Sequence, residues 1–314
     1  MRSYPEAFMS QNLYDQACRY LVMLDPVGFL NWLLGLQRSD YSFQGWLDTR
    51  AIAYPGESDR TSDMVANLAN LGEHGEPWAL PLEFQIVPDS EMFGRALDQI
   101  AAIWRYVRPD PERGSRFYVG AAVINLTGRG NCSQEMHWPA AKLTTSLIAV
   151  ERNLQYEQAD ELIKGVESGK LPRSVLAFIP LMIGGDVPGI IDRWMALAGI
   201  EPDTQRKGDY AGIALIFADR VGRKSLWDDK LKGWNVTESA FINEFIAMGE
   251  ARGEARGRVE EARSLVLRFG AKRFGPVPAV VELALHAISD LERLERISDR
   301  ILEATDWNDL LATP

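Results

Sequence analysis

Asp63, Glu83 and Gln85 are the residues of this chain whose types and spacing best suit catalysis. Glu83 and Gln85 stand two apart in a run where Leu80, Leu82, Phe84 and Ile86 alternate with Pro81, Glu83, Gln85 and Val87. This alternation predicts a strand with the acid and the amide on one face and the apolar set on the other. Upstream, Arg60 to Leu68 alternates as well: Asp63, Val65 and Asn67 share one face, and Met64, Ala66 and Leu68 the other. The connection from Asn70 to Pro77 is rich in Gly and polar residues and predicts a hairpin loop. Pairing the two strands would bring Asp63 and Glu83 within reach of one cation. Two hard oxygen ligands on neighbouring strands suit Mg2+, which takes one or two carboxylates and fills its shell with water and phosphate oxygens. Asp59 competes with Asp63 for the role of first ligand, and strand position favours Asp63.

The elements that must hold these residues follow from the same periodicities. Val87-Pro88-Asp89-Ser90 breaks the strand and places Asp89 or Ser90 to cap a helix. That helix carries Phe93, Leu97, Ile100, Trp104 and Val107 as an apolar stripe for packing on a sheet, with Arg95, Gln99 and Tyr106 on another face. Phe117 to Leu126 is apolar on both faces and predicts a central strand. A strand beginning at Lys142 is expected to close the core. Residues 10 to 36 predict two helical stretches broken at Asp25-Pro26, and Asp15 lies off their apolar stripe. Asp15 is either a first-turn acid favoured by the helix dipole or an acid assisting a metal site. Residues 40 to 50 are polar and aromatic, and Ala51 to Tyr54 predicts a short strand. Each of Arg105, Arg108, Arg113 and Arg116 alone reads as a solvated helix end; together they suit a phosphate backbone.

An Asp, then Glu-x-Gln on the next strand, then Pro-Asp-x-x-Met-x-x-Arg on a helix, resembles the Rpn family of recombination-promoting nucleases. That transposase-like family is a branch of the PD-(D/E)XK nuclease superfamily. The residues carrying the resemblance are Ser62-Asp63, Leu82-Glu83-Phe84-Gln85, Pro88-Asp89, Met92 and Arg95, together with Tyr14 to Leu21 on the opening helix. Relatives often carry a Tyr four residues after the Arg, where this chain has Gln99. The resemblance covers the first half well and the C-terminal part more loosely.

It implies a Mg2+-dependent DNA endonuclease, with Mn2+ as a substitute metal, linked to recombination or mobile elements; the cytoplasmic location expected of the chain comes instead from its ordinary globular composition and short apolar runs. Asp63, Glu83 and the Phe84 carbonyl would hold the metal, Gln85 would position a water, Arg95 would contact phosphate, and Asp15 would assist. Gln85 stands where the superfamily's name has a Lys; an amide positions water by hydrogen bonds and supplies no charge. The alternative is a catalytically degenerate nuclease fold kept as a DNA-binding or protein-interaction module. A weaker third reading is an oligomeric scaffold. Taken singly, each residue has a plainer role: Asp63 and Glu83 as strand acids, Gln85 as a surface amide, and Arg95 paired with Glu91.

The expected fold class is α/β, a restriction-endonuclease-like mixed sheet flanked by helices, with a mainly helical C-terminal region. The 314 residues carry a net charge of −10, which argues against a generally basic nucleic-acid coat but not against a local basic groove. Cys18 and Cys132 give neither a disulfide framework nor zinc spacing. The apolar run from Val175 to Ile183 is too short to span a bilayer. The expected division is a nuclease-like core over 10–150, a helical extension over 151–248, and a linker helix with a small helical domain over 249–314. The repeat from Gly249 to Gly257 sets Glu and Arg at helical spacing. Ser289-Asp290-Leu291-Glu292 reads as a capping box opening a helix whose apolar stripe suits packing or self-association into a homo-oligomer.

Overall fold

A computed structural model describes residues 6–37, 39–48, 64–71, 75–110, 114–234, 236 and 239–314. The chain divides into two compact units, Met1–Ile242 and Asn243–Pro314. The first is mixed α/β and the second is helical.

In the first unit, α1 (Glu6–Leu24) and α2 (Pro26–Leu34) precede the sheet. Asp25 separates them and caps α2 by accepting from Gly28 N at 2.9 Å, while Pro26 supplies the preset φ of a first helical position. Gly35 ends α2 in the left-handed conformation, at φ 66°. Strands β1 (Tyr41–Trp46), β2 (Met64–Asn70) and β3 (Pro77–Gln85) form an antiparallel meander. Helix α3 (Met92–Tyr106) then crosses over to β4 (Tyr118–Val119) and β5 (Ala122–Asn125), both parallel to β3. The sheet closes with β8 (Val150–Asn153), parallel to β5. Its main path runs β1-β2-β3-β5-β8, so the sheet is mixed, with its parallel half at β3, β5 and β8.

Several expectations change here. The segment at residues 41–46 is a strand. The expected strand at 51–54 lies outside the described residues. The central strand expected from Phe117 is broken at Gly120-Ala121 into β4 and β5, and both parts pair with β3. The strand near Lys142 does form, as β7 (Leu143–Leu147), but it pairs with β6 (Gln134–Trp138) in a separate hairpin. β8, beginning at Val150, closes the core instead.

Leu80, Leu82 and Phe84 of β3, with Met64, Ala66 and Leu68 of β2, face a core shared with α1, α2 and the helices after the sheet. Those helices are α4 (Ala159–Glu167), α5 (Pro188–Gly199), α6 (Thr204–Arg220) and α7 (Lys224–Lys230), with a 3-10 stretch at Arg173–Leu181. A run of stacked rings crosses this core: Trp32 on Phe178 and Phe178 on Phe217, each at 5.5 Å between centroids. Such pairs add about 0.5–1.5 kcal/mol each beyond their burial. The stretch expected as a separate helical extension therefore shares one core with the sheet. Fully buried Asp209 of α6 is satisfied by Tyr20 Oη at 2.5 Å, Ser239 Oγ at 2.7 Å and Phe241 N at 3.2 Å. A buried carboxylate needs such donors.

Helix α8 (Ala240–Phe274) is continuous through the Glu-Ala-Arg-Gly repeat. In the second unit, α9 (Ala279–Ala287), α10 (Leu291–Asp299) and α11 (Trp307–Leu311) enclose Val266, Leu285, Leu294, Ile297 and Leu310. Asp290 caps α10, taking the role expected of Ser289; its carboxylate accepts from Glu292 N at 3.0 Å.

Candidate active site

The opposite face of the sheet carries the polar residues. Register pairs Glu83 with Val123 and Val123 with Glu151; two residues on, it pairs Gln85 with Asn125 and Asn125 with Asn153. Paired residues of parallel strands project to the same face, so two rows form at the carboxyl ends of β3, β5 and β8. One is acid–valine–acid and the other is three amides. In sheets with parallel strands, that end is where ligands bind.

Helix α3 covers this face, but on a different stripe from the one expected. Its buried residues are Met92, Ala96, Gln99, Ala102 and Ile103. Phe93, Leu97 and Ile100 are half-buried at the flank, and Trp104 is exposed. Small Ala96 and Ala102 let the helix sit close to the sheet, and Gln99 turns inward because Glu83 gives its amide a partner. Glu91 occupies the capping position of α3 without a side-chain cap bond. Asp89 Oδ1 instead accepts from Glu91 N at 2.9 Å.

Glu83 is 4% exposed, and both its oxygens are engaged. Oε1 accepts from Gln99 Nε2, and Oε2 accepts from Arg95 Nη2 at 3.0 Å. Arg95 Nη1 donates to Asp89 Oδ2 at 2.9 Å, so one guanidinium bridges two carboxylates. These partners replace the expected Arg95–Glu91 pair. Gln85, also buried, is not a surface amide: its Oε1 accepts from Asp89 N at 3.0 Å and its Nε2 faces Met92 Sδ at 2.7 Å. Burial pushes the Glu83 carboxyl above the ordinary range; Arg95 and the Gln99 hydrogen bond pull it back down, and the charge of Asp15 raises it.

Asp15 lies well inside α1 and is therefore not a first-turn acid. Its Oδ2 pairs with Arg19 Nε at 2.9 Å, and its buried Oδ1 has no hydrogen-bond partner among the described residues. Phe84 turns its ring to the other side of the sheet, 6.4 Å from the Phe29 ring between centroids. Asp63 lies outside the described residues, as does Asp59. Met64, the next residue after Asp63, pairs with Leu82.

Sequence reasoning missed the far half of the two rows. Asn125 is fully buried; its Nδ2 donates to Glu151 Oε1 and Asn153 Oδ1, both at 3.1 Å. Its Oδ1 has no partner among the described residues. Asn153 Oδ1 also accepts from Gly130 N at 2.7 Å, and both Glu151 oxygens accept from Cys132 N at 3.3 Å. These bonds fold the segment after β5 over the strand ends. An Asn closing an otherwise apolar strand was the available signal. Burial, with Glu151 and Glu83 adding to it, pushes the Cys132 thiol up to about 11.

Among the described residues, no group of three or more His, Cys, Asp or Glu side chains is arranged to hold a metal ion. Comparison with family models, curated proteins and solved structures returns no match.

Proposed function

We propose that this chain hydrolyses phosphodiester bonds in DNA with Mg2+, or Mn2+ in its place, on a restriction-endonuclease-like sheet of the kind the Rpn resemblance implies. One observation carries the reading. Glu83 and Gln85 lie side by side on one face at the end of a central strand, and Arg95 reaches Glu83 from the following helix. The chain spends three buried polar side chains, Glu83, Gln85 and Gln99, where apolar packing would cost less.

The donor chemistry fits a hard divalent cation. Glu83 supplies a carboxylate, the Phe84 carbonyl is the neighbouring backbone oxygen, and Asp63 would be the second acid. A buried carboxylate requires positive charge beside it, and Arg95 provides that charge. A metal taking Glu83 would exchange one cation for another. When bound, Mg2+ lowers the pKa of a water and polarises a phosphate oxygen.

The chain's own groups do the rest. With Glu83 on a metal, Arg95 would keep its Nη1 bond to Asp89 and offer Nη2 to phosphate. The Gln85 carbonyl is fixed on Asp89 N, and its Nε2, which faces the weak sulfur acceptor of Met92, would position a water by donating to its oxygen. Asp15 assists by holding positive charge near Glu83 through Arg19.

A second reading has a specific observation in its favour. Both Glu83 oxygens are already taken by Arg95 and Gln99, as in a nuclease fold retained as a DNA-binding or protein-interaction module. A cytoplasmic location and self-association through the C-terminal helices belong to the same proposal. No helix among the described residues is long and apolar enough to cross a membrane.

The deciding experiment is plasmid cleavage in Mg2+ or Mn2+ by the wild type, Glu83→Ala and Asp63→Ala. Cleavage by the wild type alone supports hydrolysis. DNA binding without cleavage in either metal supports the second reading.

A further inference from the structure

The hairpin of β6 and β7 lies between β5 and β8 in the chain, and among the described residues its two strands pair only with each other. It is anchored at its base, where Leu147 is buried with Met92, Val123 and Cys132. Beyond that point both strands are exposed, from Glu135 to Trp138 and from Leu143 to Ser146. Register sets Gln134, Met136 and Trp138 on one face, opposite Leu147, Thr145 and Leu143. Met136, Trp138 and Leu143 are 51–63% exposed there. A two-stranded hairpin is marginal by itself in water; further strands sharing an apolar face stabilise it.

The other face carries Glu135 and His137 on β6, opposite Ser146 and Thr144. His137 Nδ1 lies 2.8 Å from Thr144 Oγ1, which orients the ring. Neither Glu135 nor His137 Nε2 has a partner among the described residues. No backbone bond among the described residues joins the outer edge of β6 to another segment. The strand has no Lys, Pro or bulge to blunt that edge. The edge of β7, Leu143–Leu147, carries no charge to choose a partner or fix a register. β6 carries both signs, two residues apart.

That spacing is self-complementary. Laid antiparallel on a second copy about a two-fold axis at Met136, Glu135 of each copy falls opposite His137 of the other. Moving the axis one residue earlier sets Glu135 against Glu135, and one residue later sets His137 against His137. Charge therefore selects one register, in a chain whose net charge of −10 otherwise makes copies repel. We propose that two copies of this chain associate by pairing β6 with β6 in this register, giving a four-stranded sheet in the order β7-β6-β6-β7. On the apolar face Met136 meets Met136, and Trp138 lies opposite Gln134 and diagonal to Met136 of the second copy. The proposal concerns a different segment from the C-terminal helices and does not rest on the hydrolase reading.

The test is the mass of the full chain by light scattering over a dilution series in reducing buffer. The wild type is expected to pass from 35.2 kDa to twice that as concentration rises. His137→Glu sets acid against acid twice in each dimer, and Glu135→Lys removes the acceptor from both histidines. Each should raise the dimer Kd on the order of tenfold. The double variant Glu135→Lys/His137→Glu exchanges the signs and should recover the wild-type Kd. Met136→Cys puts two thiols at the axis and should give a disulfide-linked dimer in mild oxidant; Thr145→Cys, its neighbour on β7, should not. Cys18 and Cys132 are buried and do not compete. The substituted positions are exposed, and thermal melts confirm that each variant is folded. A wild type that stays monomeric at every concentration overturns the proposal, as does a dimer that neither single variant weakens. Failure of the double variant to recover, or cross-linking through Thr145→Cys and not Met136→Cys, overturns it equally.

Discussion

Arg95 Nη2 donates to Glu83 Oε2 at 3.0 Å across the gap between α3 and β3. Glu83 is buried, whereas the Arg95 side chain is about a third exposed, so the acid depends on the base more than the base on the acid. Removing Arg95 leaves that carboxylate with Gln99 as its remaining hydrogen-bond donor among the described residues.

Arg95→Ala should therefore destabilise the fold by about 3 kcal/mol in urea titrations. Combining it with Glu83→Gln should recover part of that loss, because the stranded charge is gone. Additive losses in the double-mutant cycle would show that the pair is not coupled.

The raised Glu83 carboxyl gives a pH signature. A carboxyl with a higher pKa folded than unfolded binds its proton more tightly when folded. Its contribution is most favourable in acid and is lost as pH rises from its ordinary value near 4.5 through the higher folded value. Glu83→Gln removes that loss. Melts should show the variant gaining on the wild type as pH rises from 4.5 upward; a constant gap at every pH would mean that burial does not shift Glu83.

Gly130 lies against Asn125 Nδ2 and Glu151 Oε1, and an added Cβ there would fall inside contact distance of both. Gly130→Ala should cost about 1–3 kcal/mol by breaking the bonds that tie the segment after β5 to the strand ends. Stability equal to the wild type would mean that the segment moves aside freely.

How much of this was legible depended on how local each signal was. The alternation of β3 placed Glu83 and Gln85 together on one face because a strand's period of two needs no knowledge of its neighbours. Gln99 shares its helix face with Arg95, which was readable, but its burial is not: it follows from the height at which Ala96 and Ala102 let α3 pack. β1 was hidden by a bulge between Phe43 and Gly45, with Gly45 at φ 121°, which breaks the alternation. The segment at residues 143–147 read correctly as a strand, but its partner did not, because pairing is a long-range choice. The amide row at Gln85, Asn125 and Asn153 comes from three strands whose register no single segment contains.

The most direct measurement of the central claim is plasmid cleavage in Mg2+ by the wild type beside Glu83→Gln, which keeps the shape and loses the charge. The account predicts metal-dependent nicking or linearisation by the wild type and none by the folded variant. Equal cleavage by both would contradict it.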